Sequence, residues 1–196
     1  MSRLLTALLL AVALVLSGVL VQRAYLMPLG GSEVDTRPLV PDVPLTGQDN
    51  RTHRLSDWAG QTRVVVFGYT RCPNLTPIVL KGLAEAAARL TPAHRARLRI
   101  ILVTVDPGTD TPSRLRKYLH MFPNTFRGLT GTEQALDVTR QGFYVHAYRE
   151  PGGQINHGDS IAIVDQDGHF RRFYFPLDVM DGTLTRDLPH LIDAYS

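Results

Sequence analysis

Cys72 is the only cysteine in this chain of 196 residues, and it stands in the run Val64 to Pro77, VVVFGYTRCPNLTP, where a strand pattern gives way to a helix pattern. Val64 to Phe67 are β-branched or aromatic without alternation, the mark of a strand buried on both faces. Gly68 breaks that run, and Thr76 to Leu90 places apolar residues at helical spacing among strong helix formers. A thiol just ahead of a helix N-terminus faces unpaired backbone N–H groups and the positive end of the helix dipole, and Arg71 adds charge beside it. Those influences favour the thiolate, the form that attacks electrophiles and binds soft metals. A buried, inert cysteine is the alternative, and position alone leaves both readings standing.

Two further motifs follow in order: VTVDPGTDTP at Val103 to Pro112 and INHGDSIAIVDQDGHF at Ile155 to Phe170. With FGYTRCPNLTP they resemble the Sco/SenC family over roughly Pro41 to Tyr195. The resemblance implies a membrane-anchored, thioredoxin-like copper chaperone or thiol reductase that helps assemble the copper centre of cytochrome c oxidase. It implies copper as the metal, with Cys72 and His157 as ligands. Its partners would be a respiratory oxidase copper-centre subunit or another copper chaperone.

The family carries two cysteines in C-P-x-x-C-P, whereas this chain reads Cys72-Pro73-Asn74-Leu75-Thr76-Pro77. Thr76 takes the second thiolate's place, and Asn156 and Gly158 flank the histidine where the family has an aspartate and a small hydroxyl residue. A neutral hydroxyl is a hard, weak donor that does not replace sulfur toward Cu(I), so the expected site is weakened and rests on Cys72 and His157. His146 is the nearest candidate in sequence for a third ligand. A single cysteine also excludes an internal dithiol cycle in the monomer. Two other readings stay open: a one-cysteine thiol peroxidase or reductase using Cys72, with Thr70 and Thr76 as hydroxyl donors, and a non-catalytic thioredoxin-like binding module.

The elements that would position these residues form an α/β order. A hairpin is expected around Gly47 to Asn50, with Thr52 to Leu55 as its return strand. Strands at Arg63 to Tyr69 and Leu98 to Val105 flank the Thr76 helix in a right-handed β-α-β unit. Helices are expected from Thr111-Pro112 to Met121 and from Thr132 to Gln141, with Gly142 as stop. Asp106 and Asp110 read as turn and capping residues rather than acid-base catalysts. Strands Ser160 to Asp165 and His169 to Phe175 join through Asp167-Gly168, and His157 is expected in a loop before them. A last helix, Leu184 to Tyr195, contains Pro189. The sum is a thioredoxin-like fold with an N-terminal hairpin and an N-terminal membrane anchor.

Leu4 to Val21 is an uncharged, mainly apolar run of 18 residues between Arg3 and Arg23, long enough at about 1.5 Å per residue for a span. We read residues 1–24 as an uncleaved signal anchor, with cleavage near Ala24 as the alternative, 25–40 as an extended tether and 41–196 as one domain. The resemblance places that domain on the periplasmic or extracytoplasmic side of the inner membrane. Net charge is +3, and all but Lys81 and Lys117 of the 21 basic residues are arginine. Arg95, Arg97 and Arg99 read as a solvated edge. Nothing in this pattern calls for nucleic acid, because a basic groove interleaved with aromatics is absent.

Overall fold

The computed structural model describes residues 2–25 and 28–195, with the side chains of the first helix described for 5–19. Strand β4 (Thr62–Gly68) is buried at every position. It pairs in parallel with β5 (Leu98–Thr104), Val64 opposite Ile100, and β5 pairs in parallel with β6 (Phe126–Thr130). On its other side β4 pairs antiparallel with β9 (Ile161–Val164), which pairs with β10 (Phe170–Tyr174). The hairpin β2 (Leu45–Gly47) and β3 (Thr52–His53) joins the sheet along β6, and β1 (Ser32–Glu33) joins along β10. The order is β1-β10-β9-β4-β5-β6-β2-β3.

Side chains alternate across this sheet, so each central strand feeds two cores. Val64, Val66, Ile100, Leu102, Ile161 and Ile163 face one core. Helix α2 (Leu75–Arg89) closes it with Val79, Leu80, Leu83, Ala86 and Ala87, which recur every three or four residues. Helices α4 (Pro112–Leu119) and α7 (Thr183–Tyr195) complete the layer. Val65, Phe67, Ile101, Val103, Ala162 and Val164 face the other core, against Leu136 of α5 (Glu133–Gly142), Phe143 and Phe170. Two short helices, α3 (Pro92–Ala96) and α6 (Pro176–Met180), lie in connections.

Several expectations change. Gly142 is the last helical residue rather than the stop; a Cβ there would meet Pro41 Cδ at 2.1 Å, so close approach requires the glycine. Strand β6 is absent from the sequence reading, because FRGLT mixes buried and charged positions around a glycine. His157 is not in a loop: it ends β8 (Ile155–His157), which pairs with β7 (Ala147–Arg149) in a separate two-stranded sheet, Ala147 opposite His157. Residues 30–40 bend at 30–31, form β1 and turn at 35–36, and they are hydrogen-bonded to the domain: Val34 N–H to the Arg171 carbonyl, Val40 N–H to the Gly168 carbonyl, and Gly30 N–H to the buried Asp187 carboxylate at 2.6 Å. Arg95 and Arg97 are not simply solvated, because Arg95 donates to the carbonyls of Ala87 and Leu90, and Arg97 to Asp193.

Helix α1 (Ser2–Tyr25) holds the apolar N-terminal run, and its described leucines and valines are exposed. Among the described residues no helix is long and apolar enough to cross a membrane. The side chains of Arg3, Leu4, Val21 and Arg23 lie outside the described set.

Candidate metal and thiol site

Cys72 lies three residues before α2, in a turn closed by its N–H donating to the Tyr69 carbonyl at 3.1 Å. The side chain is half-buried and packs against the second core, so it is not a fully buried core cysteine. Burial pushes the thiol up, but amide and hydroxyl hydrogen bonds from Thr76 and the amides of Asn74 and Leu75 outweigh it. The thiol therefore sits below its ordinary value. The Thr76 amide reaches Cys72 Sγ at 3.5 Å.

Arg71 does not supply the charge expected of it. Its guanidinium turns to Asp106 at 2.8 Å, and that hydrogen bond raises the Arg71 pKa further. The thiolate is stabilised by backbone and hydroxyl donors of the first helical turn, a consequence of where Cys72 sits rather than of its neighbour's charge.

Thr76 is 2% exposed and its hydroxyl is committed. Its Oγ1 accepts the Tyr69 N–H at 3.3 Å and closes the end of β4, and the same hydroxyl is among the influences that lower the Cys72 thiol. Gly68 leaves room for it, since a Cβ there would fall 2.5 Å from Thr76 Oγ1.

His157 reaches the same end of the sheet from β8. Its ring meets Tyr69 edge-on with centroids 5.9 Å apart, while the Tyr69 carbonyl holds the Cys72 turn. Nδ1 lies 2.8 Å from the Gly158 carbonyl oxygen, which can only accept. The proton is therefore on Nδ1, and Nε2 carries the lone pair a metal would use. Asn156 points away to Glu150 at 3.3 Å. His146 is exposed and contributes its carbonyl to Gly158 N–H at 2.9 Å. Among the described residues, no group of three or more His, Cys, Asp or Glu side chains could hold a metal, so His146 does not complete a three-ligand site.

Asp106 and Asp110 have fully buried side chains and neither caps α4; Thr111 does, accepting the Arg114 N–H. Asp110 accepts from the Thr70 amide at 3.0 Å, the Thr70 hydroxyl and the Thr104 hydroxyl. Asp106 takes Arg71 on one oxygen and Arg149 on the other. Burial pushes Asp106 up, and these partners hold it below the usual carboxylate range. Tyr118, absent from the sequence reading, lines a groove of about 800 Å³ with Thr70 and Met121. Burial, then the negative charge of Cys72, pushes its hydroxyl up to about 12.

A thiolate and an imidazole are the donor types that soft monovalent cations prefer. Comparison with known proteins agrees on the lineage. The sequence model of the SCO1/SenC family matches residues 33–193. An SCO2-like protein of Rickettsia felis is 27% identical over 150 residues, covering 71% of this chain and 73% of its own. The solution structure of apo Sco1 from Thermus thermophilus is 29% identical, with a TM-score of 0.75 over 85% of this chain and 99% of that one. Copper-bound ScoI of Bradyrhizobium japonicum, 23% identical, shares the fold with a TM-score of 0.68 over 79% of this chain and 99% of its own.

Proposed function

The chain belongs to the SCO1/SenC family, and from that premise we propose that it carries Cu(I) between the Cys72 thiolate and His157 Nε2 during assembly of the copper centre of cytochrome c oxidase. The observation that carries this reading is Tyr69, whose carbonyl fixes the Cys72 turn while its ring packs on His157. Copper is cargo here, and soft Cu(I) accepts two ligands of this type. Thr76 offers no third ligand of comparable softness, because its hydroxyl is a hard, weak donor that already accepts the Tyr69 N–H. The cargo is therefore held more loosely than by two thiolates and passes readily to an acceptor with more sulfur.

Cu(I) competition titration of the full chain, with Cys72→Ser and His157→Ala alongside, tests this. One equivalent bound by the native chain and lost in both variants is expected; unchanged binding in Cys72→Ser would refute it. The apolar run Leu4 to Val21 supports a further part of the proposal, an inner-membrane anchor with the domain on the extracytoplasmic side. Alkaline extraction of membranes and a topology reporter at Ser196 test that part. A second reading, thiol chemistry with an external partner, is favoured by the lowered Cys72 pKa. It expects rapid sulfenic acid formation with peroxide or rapid mixed-disulfide exchange, and free-thiol rates would exclude it.

A further inference from the structure

The hairpin that carries His157 is a separate two-stranded sheet of three residues per strand. Isolated two-stranded ribbons are marginal in water, so its placement depends on what ties it to the domain. The turn that carries Cys72 has the same need, being irregular between Gly68 and Leu75. One carboxylate reaches both. Asp106, two residues past β5 and fully buried, holds Arg71 Nη2 on Oδ2 at 2.8 Å and Arg149 Nη2 on Oδ1 at 2.7 Å. Arg71 immediately precedes Cys72, and Arg149 ends β7, opposite Ile155 of the histidine strand. Arg149 Nη1 also clips the hairpin turn by donating to the Gly153 carbonyl at 3.0 Å.

We propose that Arg149 is a positioning residue: through the Asp106 carboxylate it shares with Arg71, it holds the β7–β8 hairpin, and so His157, in register with the Cys72 turn. The proposal rests on the copper reading for its purpose but not for its geometry. A site with two ligands lacks a third donor to hold the pair together, so the protein must fix their separation itself. A buried carboxylate that divides its two oxygens between two guanidiniums does so directionally, because each pair is charge-assisted and hydrogen-bonded.

The test is Arg149→Met in the full chain, read first without metal. Nuclear Overhauser contacts between the Tyr69 and His157 rings should be lost, and exchange of the Glu150 and Gly158 amides should accelerate about tenfold or more. Cu(I) affinity should fall about tenfold, the lower end for residues that orient ligands, since Arg149 is half-exposed. Arg149→Lys should restore part of each, because a point charge still reaches Asp106 without the second donor to Gly153. In an Asp106→Asn background the Arg149→Met change should add little, as expected of residues that act through one group. Ring contacts and amide exchange in Arg149→Met equal to those of the native chain would overturn the proposal. If the native chain binds no copper, the copper reading falls, while the ring contacts and exchange rates still decide the role of Arg149.

Discussion

Replacing Thr76 by valine, which keeps the shape and removes the hydroxyl, isolates what the residue in the second motif position does. The hydroxyl accepts the Tyr69 N–H at 3.3 Å in a site 2% exposed and is among the influences that lower the Cys72 thiol. A hydrogen bond to a charged group contributes roughly 1.5–3 kcal/mol when buried; with the sulfur half-exposed, about 1 kcal/mol is expected here. That loss lowers the thiolate fraction about fivefold at any pH below the thiol pKa, since about 1.36 kcal/mol corresponds to a factor of ten. The sign is upward: the thiol pKa moves back toward the ordinary 9.0. The amides of Thr76, Asn74 and Leu75 remain, so the shift is partial. The pH dependence of iodoacetamide alkylation reads this directly, and the variant's profile should move to higher pH. Valine also leaves the Tyr69 N–H without its acceptor, a cost of about 1–3 kcal/mol that a urea midpoint measures. A lower urea midpoint with an unmoved alkylation profile would refute the claim that the hydroxyl supports the thiolate.

Further outcomes follow from neighbouring geometry. Thr76→Cys should raise Cu(I) affinity on the order of 100-fold by adding a tethered second thiolate, and no gain in titration would mean that this turn no longer presents both positions to one metal. Gly68→Ala should destabilise the domain by about 1–3 kcal/mol and slow Cys72 alkylation, because its Cβ would press on Thr76 Oγ1; chemical denaturation checks the first and alkylation the second. Asp187→Ala removes the acceptor of the Gly30 N–H, the Tyr174 hydroxyl and Arg186. It should cost about 2–4 kcal/mol and speed exchange of the Gly30 amide. Cys72 has a folded pKa below its ordinary value, so its ionisation contributes stability that is full above the unfolded pKa and lost as pH falls through the folded one. The native chain should therefore gain on Cys72→Ser as pH rises toward 9.0 and show no pH-dependent gain in acid.

Local signals carried much of the architecture. The unbroken apolar run Val64 to Phe67 read as an interior strand, the spacing after Thr76 read as a helix, and Asp167-Gly168 marked the β9–β10 hairpin, where Gly168 takes φ +96°. They also placed the thiol at a helix N-terminus, and the order of motifs pointed to His157. What failed was anything lacking a period: β6, whose glycine and arginine obscure it, and the three-residue strands β7 and β8, which turned an expected loop into a hairpin.

Residue types in order determined that this chain has one thiol at a strand-to-helix turn, a histidine far along the chain, and a hydroxyl where a second sulfur would stand. Only the tertiary structure decided how those groups are used. Arg71 looked in sequence like a neighbour of the thiol, yet it belongs to Asp106, which is 35 positions away and also holds Arg149, 43 positions on. Thr76 looked like a lost ligand, and it joins Tyr69 to Cys72, its hydroxyl accepting the Tyr69 N–H and its amide donating to the sulfur. The physical reason is range. Helical periods, caps and turns are set by neighbours within a few residues, whereas the pairing of a buried charge depends on which segments the sheet brings together, and that information is spread over the whole chain.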